Sequence, residues 1–192
     1  MIRKISCYIC RKIHKHEKCN QEICEYGLEL IGYKVLHVFI ILLMGVLCNQ
    51  FINSIIFLAV YSQLRRYAGG FHADDSIKCT CYTFLITMGM LYLINLLEKN
   101  NHIVAIFFVS LGCSIIIWGF APVDSKNKPL DSMEIIKYRS ITHRAVLSTN
   151  ILICFFMIFK IHRFYAIECS LIFEAMGLLY GIKNSPRFVG VR

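Results

Sequence analysis

The chain has 192 residues, of which 57% are hydrophobic and 17% are charged, and its formal net charge is +9. A mean hydropathy of +0.58 excludes an ordinary soluble domain and is typical of polytopic membrane proteins. The positive charge mostly flanks apolar segments and no nucleic-acid motif is present, so we expect a lipid membrane, and no nucleic acid, as partner. With three prolines and no linker-like stretch, residues 1–192 are predicted to form one membrane domain.

The first 27 residues carry six basic side chains, with isoleucines at helical spacing between them. This pattern predicts an amphipathic helix on the inner leaflet over residues 1–27, with a soluble basic helix as the alternative. We expect no cleavable signal peptide, because no apolar region follows promptly. The segment also holds side chains of zinc-ligand type, but their spacing matches no zinc finger: Cys7, Cys10, His14, His16, Cys19 and Cys24.

Six apolar segments follow, and they predict an all-α fold: a polytopic membrane helical bundle over residues 28–182 with about six transmembrane helices. The second segment is short against the roughly 20 residues that cross a bilayer. Either the polar stretch after it lies at the membrane boundary, or its helix continues into Arg65 and Arg66. The six segments are residues 28–48, 51–64, 82–97, 103–121, 145–159 and 164–182.

The distribution of basic residues predicts the orientation in the membrane. Three basic residues fall in the loops on one side of the six spans, and Lys34 lies inside the first span. Basic residues in short loops mark the cytoplasmic side, and an even number of spans puts both termini on one side. We therefore expect both termini and the loop at 65–80 in the cytoplasm. The other 17 of the 21 lysines and arginines lie in residues 1–27, 65–80, 122–144 and 183–192.

A polar stretch at residues 65–81, reading RRYAGGFHADDSIKCTC, contains the predicted catalytic residues. His72 and Cys79 supply a base and a sulfur nucleophile, and Gly69-Gly70 allows a sharp bend before them. In one straight helix the two side chains would stand roughly 10 Å apart along the axis. We therefore expect His72 in a loop opened by the glycines and Cys79 near the start of the next helix, where the helix dipole favours a thiolate.

Other polar residues of the same stretch leave alternatives open. Asp74 and Asp75 are candidates to orient the imidazole of His72, or they are solvated acids at a helix start. A metal site is the rival interpretation, although the spacing of its ligands matches no common framework. Its ligands would be His72, Asp74, Asp75, Cys79 and Cys81.

Two blocks of this sequence resemble the accessory gene regulator protein B family of Gram-positive bacteria. The first is the pattern R-x-x-x-G-G-aromatic-H-A-x5-C, which begins at Arg65 and ends at Cys79. The second is APVDSKNKPL at residues 121–130, which is similar to a cytoplasmic loop of that family. The resemblance implies a membrane thiol peptidase that processes a quorum-sensing propeptide. Its spacing favours Cys79 over Cys81 as the nucleophile, with His72 as the base.

The resemblance also implies the substrate and the product. The propeptide would be a small amphipathic peptide whose C-terminal part is cleaved off through an acyl-enzyme, and an internal cysteine or serine would then close a thiolactone or lactone ring. No cofactor is implied, and a homodimer is left open. From the residues themselves we expect the substrate, including its acidic tail, to bind at Arg65, Arg66, Gly70, Lys126 and Lys128. Two alternatives stay open: the arginines stabilise the developing oxyanion, or the four basic residues only mark the cytoplasmic side.

Two other function classes stay open at this point. A transporter or exporter of a small peptide would line several spans with polar groups, and a metal-binding membrane protein would use the cysteine and histidine residues. Glu168 and Glu174 lie within the last predicted span, where ionised carboxylates are costly. We expect them to be satisfied inside the bundle, or else to contact substrate or a second subunit.

Overall fold

A computed structural model describes residues 21–70, 76–100, 103–123, 130–159, 161 and 163–184. Within these ranges the chain forms six α-helices, and the only β-type pairing is an isolated bridge between Gly69 and Val123. The predicted all-α bundle is therefore confirmed. The helices are α1 (Gln21–Leu47), α2 (Phe51–Ala68), α3 (Ser76–Asn100), α4 (Ile103–Phe120), α5 (Ser132–Ile158) and α6 (Phe164–Asn184).

Four of the six helices have the length and composition of membrane spans, fewer than the six spans predicted. Four segments are long and apolar enough to cross a membrane: Gly27–Leu47, Lys78–Lys99, Ser132–Ile158 and Phe164–Lys183. The apolar part of α4 is shorter, and α2 is interrupted by polar residues. At about 1.5 Å per residue, the 18 residues of α2 rise about 27 Å, which is close to the hydrocarbon thickness of a bilayer.

Three predicted boundaries differ from the structure. Residues 21–27 of the predicted amphipathic helix belong to α1 and run without a break into the first apolar segment, while residues 1–20 lie outside the described residues. Helix α3 begins at Ser76, six residues before the predicted span at 82–97. The basic loop predicted over 122–144 is wrong from Ser132 onward, because α5 begins there.

Helix α5 begins early because its first turn carries a capping box. Asp131 is the N-cap, and its Oδ1 accepts a hydrogen bond of 2.8 Å from the backbone N–H of Ser132. The carboxylate of Glu134 in turn accepts from the backbone N–H of Asp131 at 3.3 Å. These carboxylates satisfy amide groups that a helix start otherwise leaves unpaired. The charged residues that follow are therefore helical.

Helix α6 lies at the centre of the bundle, in contact with α2, α3, α4 and α5. Its apolar residues Ile167, Leu171 and Leu178 are fully buried. On the outer surfaces of the other helices, large apolar side chains are exposed, which is costly in water and ordinary in lipid. Examples are Ile31, Val35, Leu85, Tyr92, Val104, Ile115 and Ile151.

Candidate active site

A glycine turn follows α2 and ends it. The helix continues through Arg65 and Arg66 to Ala68, which confirms the second of the two predicted alternatives. Gly69 and Gly70 then adopt φ angles of 78° and 109°. Side chains other than hydrogen are rarely tolerated in this region, so the turn depends on both glycines. The bend that the sequence predicted is present.

The turn is pinned to the segment that follows α4. The backbone N–H of Val123 donates a 2.9 Å hydrogen bond to the carbonyl oxygen of Ala68, and Gly69 forms a parallel bridge with Val123. A Cβ atom on Gly69 would overlap the carbonyl oxygen of Val123. The start of the second sequence block, at residues 121–123, therefore lies directly beside the first.

Arg65 reaches back over the turn from the last turn of α2. Its Nη1 donates a 2.7 Å hydrogen bond to the carbonyl oxygen of Gly69 and lies 3.9 Å from Oε1 of Glu174 in α6. A Cβ on Gly70 would overlap the same Nη1 and would stand 3.0 Å from the carbonyl oxygen of Gly177. The turn is thus packed between the Arg65 guanidinium and the backbone of α6.

Cys79 is the fourth residue of α3, in its first turn. It is a free thiol and is partly buried. Partial burial disfavours a thiolate at Cys79, and the positive charge of Arg65 acts in the opposite direction. The predicted position of Cys79 near a helix start is confirmed, and a helix N-terminus is a setting that favours thiolate formation.

A contact from α1 fixes the residue next to Cys79. Nε2 of His37 lies 3.1 Å from Oγ1 of Thr80, which connects α1 to the first turn of α3. Cys81 is exposed and lies about 200° further round the helix than Cys79. Helix geometry therefore turns the two thiols to different sides of α3.

Comparison with known proteins gives the family. The family model described as Accessory gene regulator B matches residues 2–178. The chain belongs to the accessory gene regulator B family. With its long apolar helices, this membership identifies a multi-pass membrane protein. No solved structure matches the chain.

Curated relatives of this family cover about two thirds of the chain. An AgrB-like protein 2 of Clostridium perfringens (strain 13 / Type A) is 31% identical over 141 residues, which are 68% of this chain and 64% of the relative. An AgrB-like protein of Clostridium perfringens (strain SM101 / Type A) is 30% identical over the same shares. An AgrB-like protein of Lactiplantibacillus plantarum is 21% identical over 152 residues, which are 78% of this chain and 74% of the relative. The chain thus spans less than two thirds of the length of the two clostridial relatives.

The structure brings together only part of the predicted AgrB-family site. Arg65 contacts the glycine turn that includes Gly70, Cys79 lies in the first turn of α3 within reach of the Arg65 charge, and Arg66 is exposed in the last turn of α2. Within the described ranges, no group of three or more His, Cys, Asp or Glu side chains is arranged to hold a metal ion. The predicted base, its candidate orienting residues and two substrate-binding lysines lie outside the described residues: His72, Asp74, Asp75, Lys126 and Lys128.

Two contributors to the site were not predicted from the sequence. The sequence marks Glu174 only as a charge within the last span, and the structure pairs it with Arg65. Nothing in the sequence singles out His37, because a lone histidine in an apolar helix resembles an ordinary buried residue. Neither has a local sequence signal that links it to residues 65–81, so only the packing of α1 and α6 reveals their place.

Proposed function

We propose that this chain is a membrane thiol endopeptidase in which Cys79 is the nucleophile and His72 is the general base. The observation that carries the proposal is the position of Cys79 in the first turn of α3, where the charge of Arg65 acts against the effect of burial on the thiol. A thiol needs a positive environment to react as a thiolate, and the helix N-terminus and the guanidinium both provide one. His72 follows the turn glycine Gly70 by two residues in the sequence.

The reaction begins with proton transfer from Sγ of Cys79 to the imidazole of His72. The thiolate attacks a peptide carbonyl carbon of the propeptide, and the tetrahedral intermediate collapses with cleavage of the C–N bond. The imidazolium returns its proton to the leaving amine, and the C-terminal fragment departs. What stays behind is a thioester between Cys79 and the N-terminal part of the propeptide.

Ring closure follows from the same thioester. An internal cysteine or serine of the propeptide attacks the acyl carbon, forms a thiolactone or lactone, and releases Cys79 as a thiol. An internal nucleophile held near the acyl group competes well with water, since proximity replaces a bimolecular encounter. Cys79 lies at the end of an apolar helix, and a site at the membrane boundary would restrict the access of water to the thioester.

We assign the acidic tail of the propeptide to the basic residues near the turn. Arg66 is exposed, whereas the side chain of Arg65 is 21% exposed and already contacts Gly69 and Glu174. Lys126 and Lys128 follow Val123, which pairs with Gly69, by three and five residues in the sequence. The positive-inside distribution favours a cytoplasmic site, where a newly made propeptide is available.

The decisive experiment coexpresses the chain with a candidate propeptide, a small amphipathic peptide with an acidic C-terminal part, tagged at the C-terminus. Parent protein is expected to release the tagged fragment and to yield a product one water lighter than the linear N-terminal fragment. Cys79→Ala and His72→Ala are each expected to abolish release while inserting normally, and the matched control Cys81→Ala is expected to retain most of it. Full release by Cys79→Ala would overturn the proposal.

Peptide transport is the second candidate, because buried polar groups occur in five of the six helices, α2 to α6. Most of the buried hydroxyls are satisfied by carbonyls of their own helix: Thr87, Ser110, Ser114, Thr149 and Ser170 each donate to a residue three or four positions earlier. This is ordinary packing in membrane helices. A thiol-blocking reagent separates the two functions, because it would stop cleavage by a thiol peptidase and leave transport by such a path intact.

A further inference from the structure

Glu174 is a fully buried carboxylate in the middle of α6. Neither of its oxygens has a hydrogen-bond partner among the described residues, and its ion pair there is with Arg65, at 3.9 Å. A carboxylate inside a membrane bundle is costly unless a charge of opposite sign stands near it. A neighbouring group must therefore stabilise the carboxylate of Glu174 at this position.

The partner of Glu174 is the residue that holds the glycine turn. One nitrogen of Arg65, Nη1, faces Glu174 and also donates to the carbonyl oxygen of Gly69. Gly177, one turn after Glu174, completes the contact: a Cβ there would stand 3.3 Å from that same Nη1. The guanidinium is thus enclosed by the turn on one side and by α6 on the other.

We propose that Glu174 is a positioning residue for the thiol peptidase reaction. It fixes the guanidinium of Arg65, which in turn sets the conformation of Gly69-Gly70 and keeps a positive charge beside Cys79. Glu174 acts through Arg65 and does not touch the substrate. The inference rests on the proposed function of Cys79.

The assembly of the bundle does not depend on this ion pair alone. A second polar contact joins the start of α2 to the residue before α6, where Nη1 of Arg163 donates a 3.1 Å hydrogen bond to Oδ1 of Asn53. Between the two contacts, Phe57 and Leu171 are buried in the apolar core. Loss of the Glu174 charge is therefore expected to disturb the turn more than the packing of the two helices.

The test uses full-length protein carrying Cys81→Ala, reconstituted in lipid vesicles. In this background the tryptic peptide 79–99 contains Cys79 as its single thiol, so its alkylation by iodoacetamide is read directly by mass spectrometry. Cleavage of purified, C-terminally tagged propeptide by the same reconstituted variants gives kcat and KM. These are Glu174→Gln, Arg65→Gln, the double variant, and Glu168→Gln as matched control for a buried carboxylate on the same helix.

Glu174→Gln is expected to lower kcat for cleavage about tenfold or more, without raising KM, since a small misplacement at a reacting centre can cost that much. Alkylation of Cys79 is expected to slow with it. The double variant is expected to equal Arg65→Gln within about twofold, because residues that act as a unit are not additive. Glu168→Gln is expected to cleave like the background protein.

Several outcomes overturn the inference. Cleavage by Glu174→Gln at the background rate does so, and so does a double variant whose loss is the product of the two single losses. If Glu174→Gln does not insert, Gly177→Ala is the second test, because alanine favours the helix but its Cβ crowds the guanidinium of Arg65. The control is Gly119→Ala, whose added Cβ meets nothing within 4 Å. Equal activity of these two variants overturns the inference. Release that persists in Cys79→Ala contradicts the proposed thiol peptidase function. This outcome is distinct from those that contradict only the positioning role of Glu174.

Discussion

Gly69 and Val123 lie side by side, although 54 residues separate them in the sequence. The contact is a backbone bridge, reinforced by the hydrogen bond from the Val123 N–H to Ala68. It leaves no space for a Cβ on Gly69. The glycine turn of the first sequence block and the start of the second, at residues 121–123, are therefore parts of one structural feature.

The dependence of this feature on glycine gives the first prediction. Gly70→Ala places a Cβ on Nη1 of Arg65 at a backbone φ of 109°, so both the turn and the guanidinium must move. We expect propeptide cleavage to fall about a hundredfold, as for other displacements of a reacting centre by about 1 Å. The measurement is release of the C-terminal tag in the coexpression assay.

The control for this substitution is Gly112→Ala, since an added Cβ at that helical glycine meets nothing within 4 Å. It is expected to leave release unchanged. A Gly70→Ala protein that inserts and cleaves like the parent would show that the turn conformation has no bearing on the reaction.

The contact between His37 and Thr80 gives the second prediction. An interhelical hydrogen bond in a membrane protein contributes about 0.6 kcal/mol on average, too little to decide folding. Thr80→Val keeps the shape of the side chain and removes its hydroxyl group from the 3.1 Å contact with Nε2 of His37. We expect normal insertion and a loss of cleavage of about threefold, the rate equivalent of that free energy.

His37→Leu is expected to show the same modest loss, and the two substitutions together are expected to be no worse than either alone. A loss in the double variant that multiplies the two single losses would mean that the residues act separately.

Much of the local structure around the site could be predicted from the sequence. Hydropathy predicted the helices, and the twin glycines predicted the bend that ends α2 and puts Cys79 near the start of α3. These are local signals that depend on a few neighbouring residues. The start of α5 was also readable, as Asp131 followed three residues later by Glu134, but the basic residues after it favoured a loop interpretation.

The tertiary part of the site could not be predicted in this way. Arg65 and Glu174 are 109 residues apart, and no periodic pattern connects them. Glu168 and Glu174 both have mostly apolar neighbours in the sequence. Of the two, only Glu174 forms an ion pair among the described residues. Which buried carboxylate meets the arginine depends on the rotation of α6 against α2, and only the packed bundle shows this.

The capping box of α5 gives the third prediction. Asp131→Ala removes the acceptor of the Ser132 N–H and is expected to lower the free energy of unfolding by about 1 kcal/mol, whereas Asp131→Asn preserves a good cap. The measurement is the midpoint of thermal unfolding of purified protein in detergent. Equal midpoints for the alanine and asparagine variants would contradict a stabilising role of the cap.

The fourth prediction concerns the orientation of the bundle. Cys48 is exposed in the turn between α1 and α2, at the end of α2 opposite the one that leads to Cys79. With the site in the cytoplasm, a membrane-impermeant maleimide added to intact cells is expected to modify Cys48 and to spare Cys79 and Cys81. Tryptic peptides report this without substitutions, because residues 35–65 contain Cys48 alone and residues 79–99 contain only Cys79 and Cys81.

Permeabilised cells provide the control for this labelling, since there the reagent is expected to reach both peptides. The reverse pattern on intact cells, with Cys79 modified and Cys48 spared, would put the thiol on the outer face. A propeptide would then have to cross the membrane before cleavage. That order would run against the positive-inside rule, because 17 of the 21 basic residues flank the predicted spans on the side of the site and basic residues in short loops favour the cytoplasmic side.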